Sequence, residues 1–373
     1  MSLIKKIPFE EAFVSAPVGK LKIKESEYDS AGSICVVDQG QSLVSGMTTR
    51  ADLKRDDGPY IVFGDHTRIV KFIDFSFVVG ADGVRLYKAS EKYEPEFLYL
   101  FLKSSKLPED GYGRHSKYLK ELFVPEISKE KQRQIAARLK AQLGEVETAR
   151  QAAKVQLSDA RLLRTRMLKA FFAELESTPK KRLGEHAPTT SGSTPSRGNK
   201  QYWQPAEIAW VKTGEVAFAP ITATEEAISN LALAECSLKL LPSKSVLIAM
   251  IGQGKTRGQS AILEIPATTN QNCFAVMPND TWEPDFLYLW MKSSYQDLRD
   301  LSSDRGGNQS ALNGALLNAL EVPAPSKPEQ QKLVARIQTA LTEIDVLEQS
   351  SKAALADIEK LPARILAKAF ENP

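Results

Sequence analysis

The chain has 373 residues, of which 42% are hydrophobic and 25% charged, with a net charge of +3, the balance of an ordinary globular protein with room for two or more cores. No apolar run is long enough to span a bilayer, and the lysines near Met1 are not followed by the apolar core or small-residue cleavage site of a secretory signal. Cys35, Cys236 and Cys273 stand far apart with no CxxC spacing, which argues against a disulfide framework and a structural zinc site and fits a reducing cytoplasm.

In chain order, Ser33–Val37, Pro59–Phe63 and Phe75–Val79 read as strands, β-branched and aromatic between Gly and Asp punctuation. Phe97–Lys103 reads as a short helix. After Ser128, the positions Leu139, Leu143, Val146, Arg150, Ala153, Leu157, Ala160, Arg164, Met167 and Phe171 step by four and three, the seam of a coiled coil. Glu207–Val211, Ser245–Met250 and Cys273–Met277 then read as strands, and Phe286–Lys292 as a helix. After Ser326 the seam returns as Ile337, Leu341, Ile344, Glu348, Ser351, Leu355, Ile358, Pro362, Ile365 and Ala369. Ser128 and Ser326 are helix-start residues, with Gln or Glu following near capping-box spacing. Pro328 falls in a first turn, where its missing N–H costs nothing, and Pro362 predicts a kink. Each helix is expected to run roughly 40 residues, about 60 Å, and each is the other's obvious partner. Arg150 and Glu348 are equivalent seam positions of opposite charge. The basic stretch Arg161–Lys169 reads as a solvated face or as a contact for phosphate or an acidic partner.

These elements are two copies of one unit. Glu94–Leu100 recurs as Glu283–Leu289, and Lys103-Ser104-Ser105 as Lys292-Ser293-Ser294, both at a spacing of 189. After a longer loop in the second copy the spacing is 198: Val124-Pro125 matches Val322-Pro323, and Ala137-Arg138 matches Ala335-Arg336. The expected fold class is α+β. A first mixed domain spans residues 1–127, its long helix 128–178, a second mixed domain 179–325 and its long helix 326–373. The two helices pair as an antiparallel coiled coil with approximate two-fold symmetry.

A net charge of +3 does not by itself argue for a nucleic-acid partner, so the case rests on loops. His66, Thr67 and Arg68 in the first copy fall opposite Lys255, Thr256, Arg257 and Gln259 in the second. Lysine and arginine neutralise phosphates or pair with guanine edges, glycine permits close backbone approach, and threonine hydroxyls bond phosphate oxygens. Arg114, His115 and Lys117 have their counterpart in Arg305, Asn308 and Gln309. Asn270 and Gln271 offer side chains able to grip adenine with two hydrogen bonds. Ser193, Thr194, Arg197 and Lys200 sit in a stretch that ends in aromatics, of which Trp203 reads as core before it reads as a stacking platform. A polar hairpin tip or ordinary turn is the plain alternative for each loop. Ala249–Thr256 resembles a relaxed P-loop, but the residues after it read as loop and strand, whereas phosphate binding needs a following helix. The histidines 66, 115 and 186 are dispersed, and no coherent catalytic site or metal cluster emerges.

Domain, long helix, domain, long helix, with Ser191-Gly192-Ser193-Thr194-Pro195 opening the second domain and Glu207-Ile208-Ala209-Trp210-Val211-Lys212-Thr213-Gly214 continuing it, resembles the specificity subunits of type I restriction-modification systems. Glu283–Leu289 and Pro328-Glu329-Gln330-Gln331-Lys332-Leu333-Val334 are similar to stretches of that family too. The first domain lacks the Ser-Gly-Ser-Thr-Pro opening. The resemblance implies a non-catalytic subunit that binds double-stranded DNA, each domain reading one half of an asymmetric split site, with Lys212 and Thr213 joining the DNA-binding loops. It implies helices that set the unread spacer and dock two methyltransferase subunits, which methylate adenine N6. Those subunits would hold S-adenosylmethionine, and this chain no cofactor. Translocating restriction subunits can join them. The alternative is a coiled-coil scaffold that binds only proteins.

Overall fold

A computed structural model describes residues 5–18, 21–80, 83–111, 113–252, 254–302 and 311–371. They form two compact units, Met1–Val155 with Lys352–Pro373, and Gln156–Ser351. The units cut across the repeats: each holds one globular part, part of its own long helix and part of the other one.

In the first unit the strands are β1 (Lys6–Pro8), β2 (Phe13–Ala16), β3 (Lys22–Ile23), β4 (Ile34–Val37), β5 (Gly46–Thr48), β6 (Tyr60–Gly64), β7 (Val70–Ile73), β8 (Phe77–Gly80), β9 (Val84–Ala89) and β10 (Phe123–Pro125). One four-stranded sheet has the order β2-β9-β6-β7 and another β3-β8-β4-β5. β6 is central and every residue of Tyr-Ile-Val-Phe-Gly is buried, so β-branched and aromatic side chains pack on both faces. β1 pairs antiparallel with β10, bringing the start of the globular part to its end.

In the second unit the strands are β11 (Lys180–Arg182), β12 (Thr189–Ser191), β13 (Ile208–Val211), β14 (Glu226–Ile228), β15 (Val246–Ala249), β16 (Ser260–Ile262), β17 (Thr268–Thr269), β18 (Cys273–Val276) and β19 (Glu321–Pro323). The order β12-β18-β15-β16 repeats that of the first sheet. The order β14-β13-β17 repeats β5-β4-β8, including the parallel pairing of β13 with β17 and of β4 with β8. β11 pairs with β19 as β1 does with β10. The α+β class and the internal duplication therefore hold at the level of topology.

The short helices Pro95–Ser104 and Pro284–Ser293 each begin on proline, which has no N–H to leave unsatisfied there. The long helices are Lys129–Ala173 and Lys327–Glu371. Ser326 caps the second one through Glu329, whose carboxylate accepts from the Ser326 N–H at 2.9 Å and hydroxyl at 2.6 Å. Gln132 and Gln330, read in the sequence as near-capping residues, do something else. Both are fully buried. Gln132 Nε2 donates to the carbonyls of Lys92 (3.1 Å) and Ile127 (2.8 Å), and its Oε1 accepts from the Glu94 N–H (2.8 Å). Gln330 makes the same three bonds, to Thr281 (2.8 Å), Pro325 (2.8 Å) and Glu283 (2.8 Å). Beside each clamp an aromatic donor reaches a proline carbonyl: Tyr93 OH to Pro125 at 3.1 Å, and Trp282 Nε1 to Pro323 at 2.9 Å. The repeat has exchanged the ring and kept the bond.

Every expected seam position in the long helices is buried or half-buried. In the second unit Arg336 meets Glu174 at 2.9 Å, and Arg164 meets Glu348 at 3.3 Å and also Asp345, so the partner's number rises as the helix number falls and the segments run antiparallel. Arg150 pairs with Glu147 of its own helix at 2.7 Å; the seam partner of Glu348 is Arg164. The second helix stays continuous through Pro362, where the ring leaves the Ile358 carbonyl without its helical donor. Near their C-terminal ends the helices turn Leu168 and Phe172, and Leu366 and Ala369, into the cores. Phe172 lies edge-on to Phe286 at 5.5 Å in the second unit, and its equivalent Phe370 lies 5.4 Å from Phe97, the equivalent of Phe286, in the first. Each globular part is thus completed by the helix end of the other repeat.

Candidate nucleic-acid interface

The two loops matched in the sequence occupy the same place in the two sheets. Gly64–Ile69 joins β6 to β7, and Met250–Gln259 joins β15 to β16. The second is a hairpin connection followed by a strand, which removes the helix a P-loop requires.

In the first unit this loop is organised by Asp65, whose side chain is 2% exposed. Its Oδ1 accepts from the Ser116 N–H (2.9 Å) and its Oδ2 from Arg85 Nε (3.2 Å). Its carbonyl accepts from the His115 N–H (2.8 Å) and lies 3.0 Å from His115 Nδ1, which must donate there. His115 is 2% exposed. It therefore does not face a ligand, as the sequence suggested, but props the loop from within. The outward groups around this hub are Thr67, Arg68, Arg114 and Lys117, with His66 half-buried. Thr67 Oγ1 donates to the Gln39 carbonyl (2.7 Å), Arg68 sits at positive φ and pairs with Glu109 (3.3 Å), and Lys117 pairs with Asp110 (2.5 Å).

Burial alone would raise the Asp65 pKa, but the Ser116 amide and Arg85 outweigh it and hold the carboxyl below the usual aspartate range. A carboxyl depressed in the folded state contributes stability above its unfolded pKa and loses it as the pH falls through the folded value. Asp65→Asn is expected to cost about 1–3 kcal/mol at neutral pH and to flatten the acid limb below the ordinary aspartate pKa. Thermal melts from pH 7 to pH 3 check this; an unchanged acid limb would remove Asp65 from the account.

In the second unit several loops converge. A Cβ at Gly192 would overlap the Thr269 carbonyl, so only glycine lets the Ser191–Thr194 segment lie on β17. The Ser193 N–H donates to Thr269 O at 3.0 Å, and Thr194 Oγ1 lies 2.6 Å from Gln271 Oε1. Thr213 Oγ1 bonds Asn270 Oδ1 at 2.9 Å, and the Met250 N–H donates to Asn272 O at 2.9 Å. Ser193, Thr194, Thr213, Asn270 and Gln271 are thereby gathered with the base of the hairpin. Two of the expected readers are corrected. Thr213 and Arg257 are each 8% exposed, so they support the loops from inside. The helix Tyr295–Asp300 braces the hairpin, Tyr295 OH donating to Lys255 O (2.6 Å) and Arg299 Nη1 to Arg257 O (3.1 Å). Lys255 stays exposed, and Thr256 and Gln259 are half-buried. Lys200 and Lys255 carry no ion pair among the described residues. Arg305, Asn308 and Gln309 lie outside the described residues.

Beside these loops lies a cluster the sequence did not announce. The Arg197 guanidinium stands 3.8 Å over the Trp203 ring and 5.1 Å from Trp210, and pairs with Glu226. Trp203 is half-buried and edge-on to Trp210 at 5.2 Å. Lys212 reaches Glu225 at 2.5 Å and Glu226 at 3.2 Å. The hydrogen bond from Arg197 holds the Glu226 carboxyl below its usual range, and Glu225 holds the Lys212 ammonium above its own. A phosphate brought within about 5 Å of the Glu226 carboxylate would meet a repulsion of roughly 1–3 kcal/mol at effective dielectrics of 20–80.

Among the described residues no group of His, Cys, Asp and Glu could hold a metal ion, and no helix is long and apolar enough to cross a membrane.

Similarity to known proteins matches this architecture. Residues 176–356 match the family described as type I restriction modification DNA specificity domain. The type I restriction enzyme EcoR124I/EcoR124II specificity subunit of Escherichia coli is 22% identical, over 84% of this chain and 81% of that one. A chain from a solved structure concerning complex assembly and conformational transition of the type I R-M system shares the fold, with a TM-score of 0.69 at 18% identity over 99% and 98% of the two chains. The HsdS subunit from Thermoanaerobacter tengcongensis does so at 0.60 and 17% identity, over 99% and 96%. Residues 176–356 thus match a type I restriction modification DNA specificity domain, and over most of its length the chain is similar to a type I restriction enzyme specificity subunit and shares the fold of the HsdS subunit.

Proposed function

We propose that this chain reads DNA for a type I restriction-modification complex and carries out none of its chemistry. The observation that carries the reading is one sheet frame built twice with different loops: Asp65, Thr67 and Arg68 in one, Thr194, Arg197, Lys255 and Gln271 in the other. Two unlike heads suit an asymmetric bipartite site, each taking one half. The paired helices set the unread spacer and dock two modification subunits, which flip and methylate adenine at N6 with their own S-adenosylmethionine. Restriction subunits that translocate DNA can join the assembly, in the cytoplasm. A scaffold that binds only proteins is not favoured, because the matched family is a DNA specificity domain.

The test is salt dependence with footprinting on the complex assembled with modification subunits. Lys200→Ala and Lys255→Ala are each expected to lower the slope of log K against log salt by about one, leaving the methylated motif unchanged. Binding that is insensitive to salt, or absent, would reject the reading.

A further inference from the structure

We propose that Arg197 reads a guanine in the half-site served by the second globular part, with Trp203 and Glu226 as its positioning residues. The proposal rests on the recognition role above and gives one of its contacts a chemical target. Arg197 Nη1 is taken by Glu226 and the guanidinium face by Trp203, while the side chain remains 54% exposed. No other hydrogen bond engages the guanidinium among the described residues. One edge of the fork is thus open and aimed by its neighbours, the arrangement a bidentate contact to guanine O6 and N7 requires.

A phosphate is the other ligand an arginine could take. Glu226 argues against it, because its carboxylate, with Glu225 beside it, would lie next to the incoming anion. A base edge is neutral, so it incurs no such repulsion. Lys212 is drawn into the same pair of carboxylates, which leaves this cluster little net charge with which to attract DNA of any sequence. The geometry points to discrimination between bases.

The test uses the chain assembled with its modification subunits. The methylated motif is mapped first. Each guanine of the second half-site is then replaced singly by 7-deazaguanine, which lacks the N7 acceptor, and binding is measured for wild type, Arg197→Gln and Arg197→Lys. At one position the analogue is expected to weaken wild-type binding about tenfold, with no added loss in Arg197→Gln, whose methylated motif accepts other bases there. Arg197→Lys keeps the charge and carries the comparison if the glutamine variant fails to fold; it too should lose discrimination at that position. A second half-site without guanine, or analogues that cost wild type and variants the same factor everywhere, would overturn the proposal. So would a uniform loss in Arg197→Gln with a salt slope reduced by one, the signature of a phosphate contact. A wild-type complex that methylates no specific motif would instead overturn the recognition role itself, and this proposal with it.

Discussion

Replacing Gln330 by leucine is expected to destabilise the second unit by about 3–5 kcal/mol, because it orphans several buried backbone groups at once. The amide at this position is fully buried and serves Thr281 O, Pro325 O and Glu283 N. Leucine has similar bulk, so the loss is one of hydrogen bonding and not of packing. The bond to Glu283 also fixes the entry to the helix Pro284–Ser293, which packs against β15 and β16. Gln132→Leu should do the same to the first unit through Lys92, Ile127 and Glu94. Amide hydrogen exchange resolved by segment is the measurement: protection should fall in the unit that carries the substitution. Exchange rates unchanged around residues 281–293 in Gln330→Leu would show the clamp to be dispensable.

Phe172→Ala should cost a comparable amount, about 3–5 kcal/mol for an aromatic removed from a core, and Phe370→Ala somewhat less because Phe370 is only half-buried. The informative part is where the damage appears. Phe370 belongs to the second repeat but packs on Phe97 and Phe101 of the first globular part. Its loss should therefore loosen the helix Pro95–Ser104, remote in sequence. Phe172 belongs to the first repeat, and its loss should loosen Pro284–Ser293. Hydrogen exchange on each single variant separates the two outcomes. Loosening confined to the globular part of the same repeat would contradict the exchanged packing.

Much of this architecture was legible in the sequence because it was written twice. The seam of the long helices repeats every seven residues, and the central strands β6, β15 and β18 are uninterrupted apolar runs. The edge strand β7 escaped notice because Val-Lys-Phe-Ile puts a lysine between its apolar residues. That lysine is nonetheless buried, its ammonium 2.5 Å from the Ser42 carbonyl. β9 was missed for a similar reason, since Arg85 and Lys88 mask its alternation. The candidate loops were legible as places in the fold and not as chemistry. Asp65 lay in plain view beside His66, but its role depends on Arg85 and Ser116 arriving from elsewhere. Arg197 and Glu226 are brought together by the β13·β14 ladder, which sets Glu226 opposite Trp210, and by the Trp203 and Trp210 rings under the guanidinium. His115 and Arg257 looked like readers because polar residues near glycine suggest exposed loops, and Thr213 through the family resemblance; burial turned them into internal braces.

The ladders β1·β10 and β11·β19 have an evolutionary consequence. In each, the residue where the chain enters a recognition module lies opposite the residue where it leaves: Lys6 against Pro125, and Lys180 against Pro323. A segment whose two ends meet in one ladder can be exchanged as a closed cassette, since a replacement need only present the same pair of ends to the helical frame. Exchange at these seams would leave the helical frame as it is.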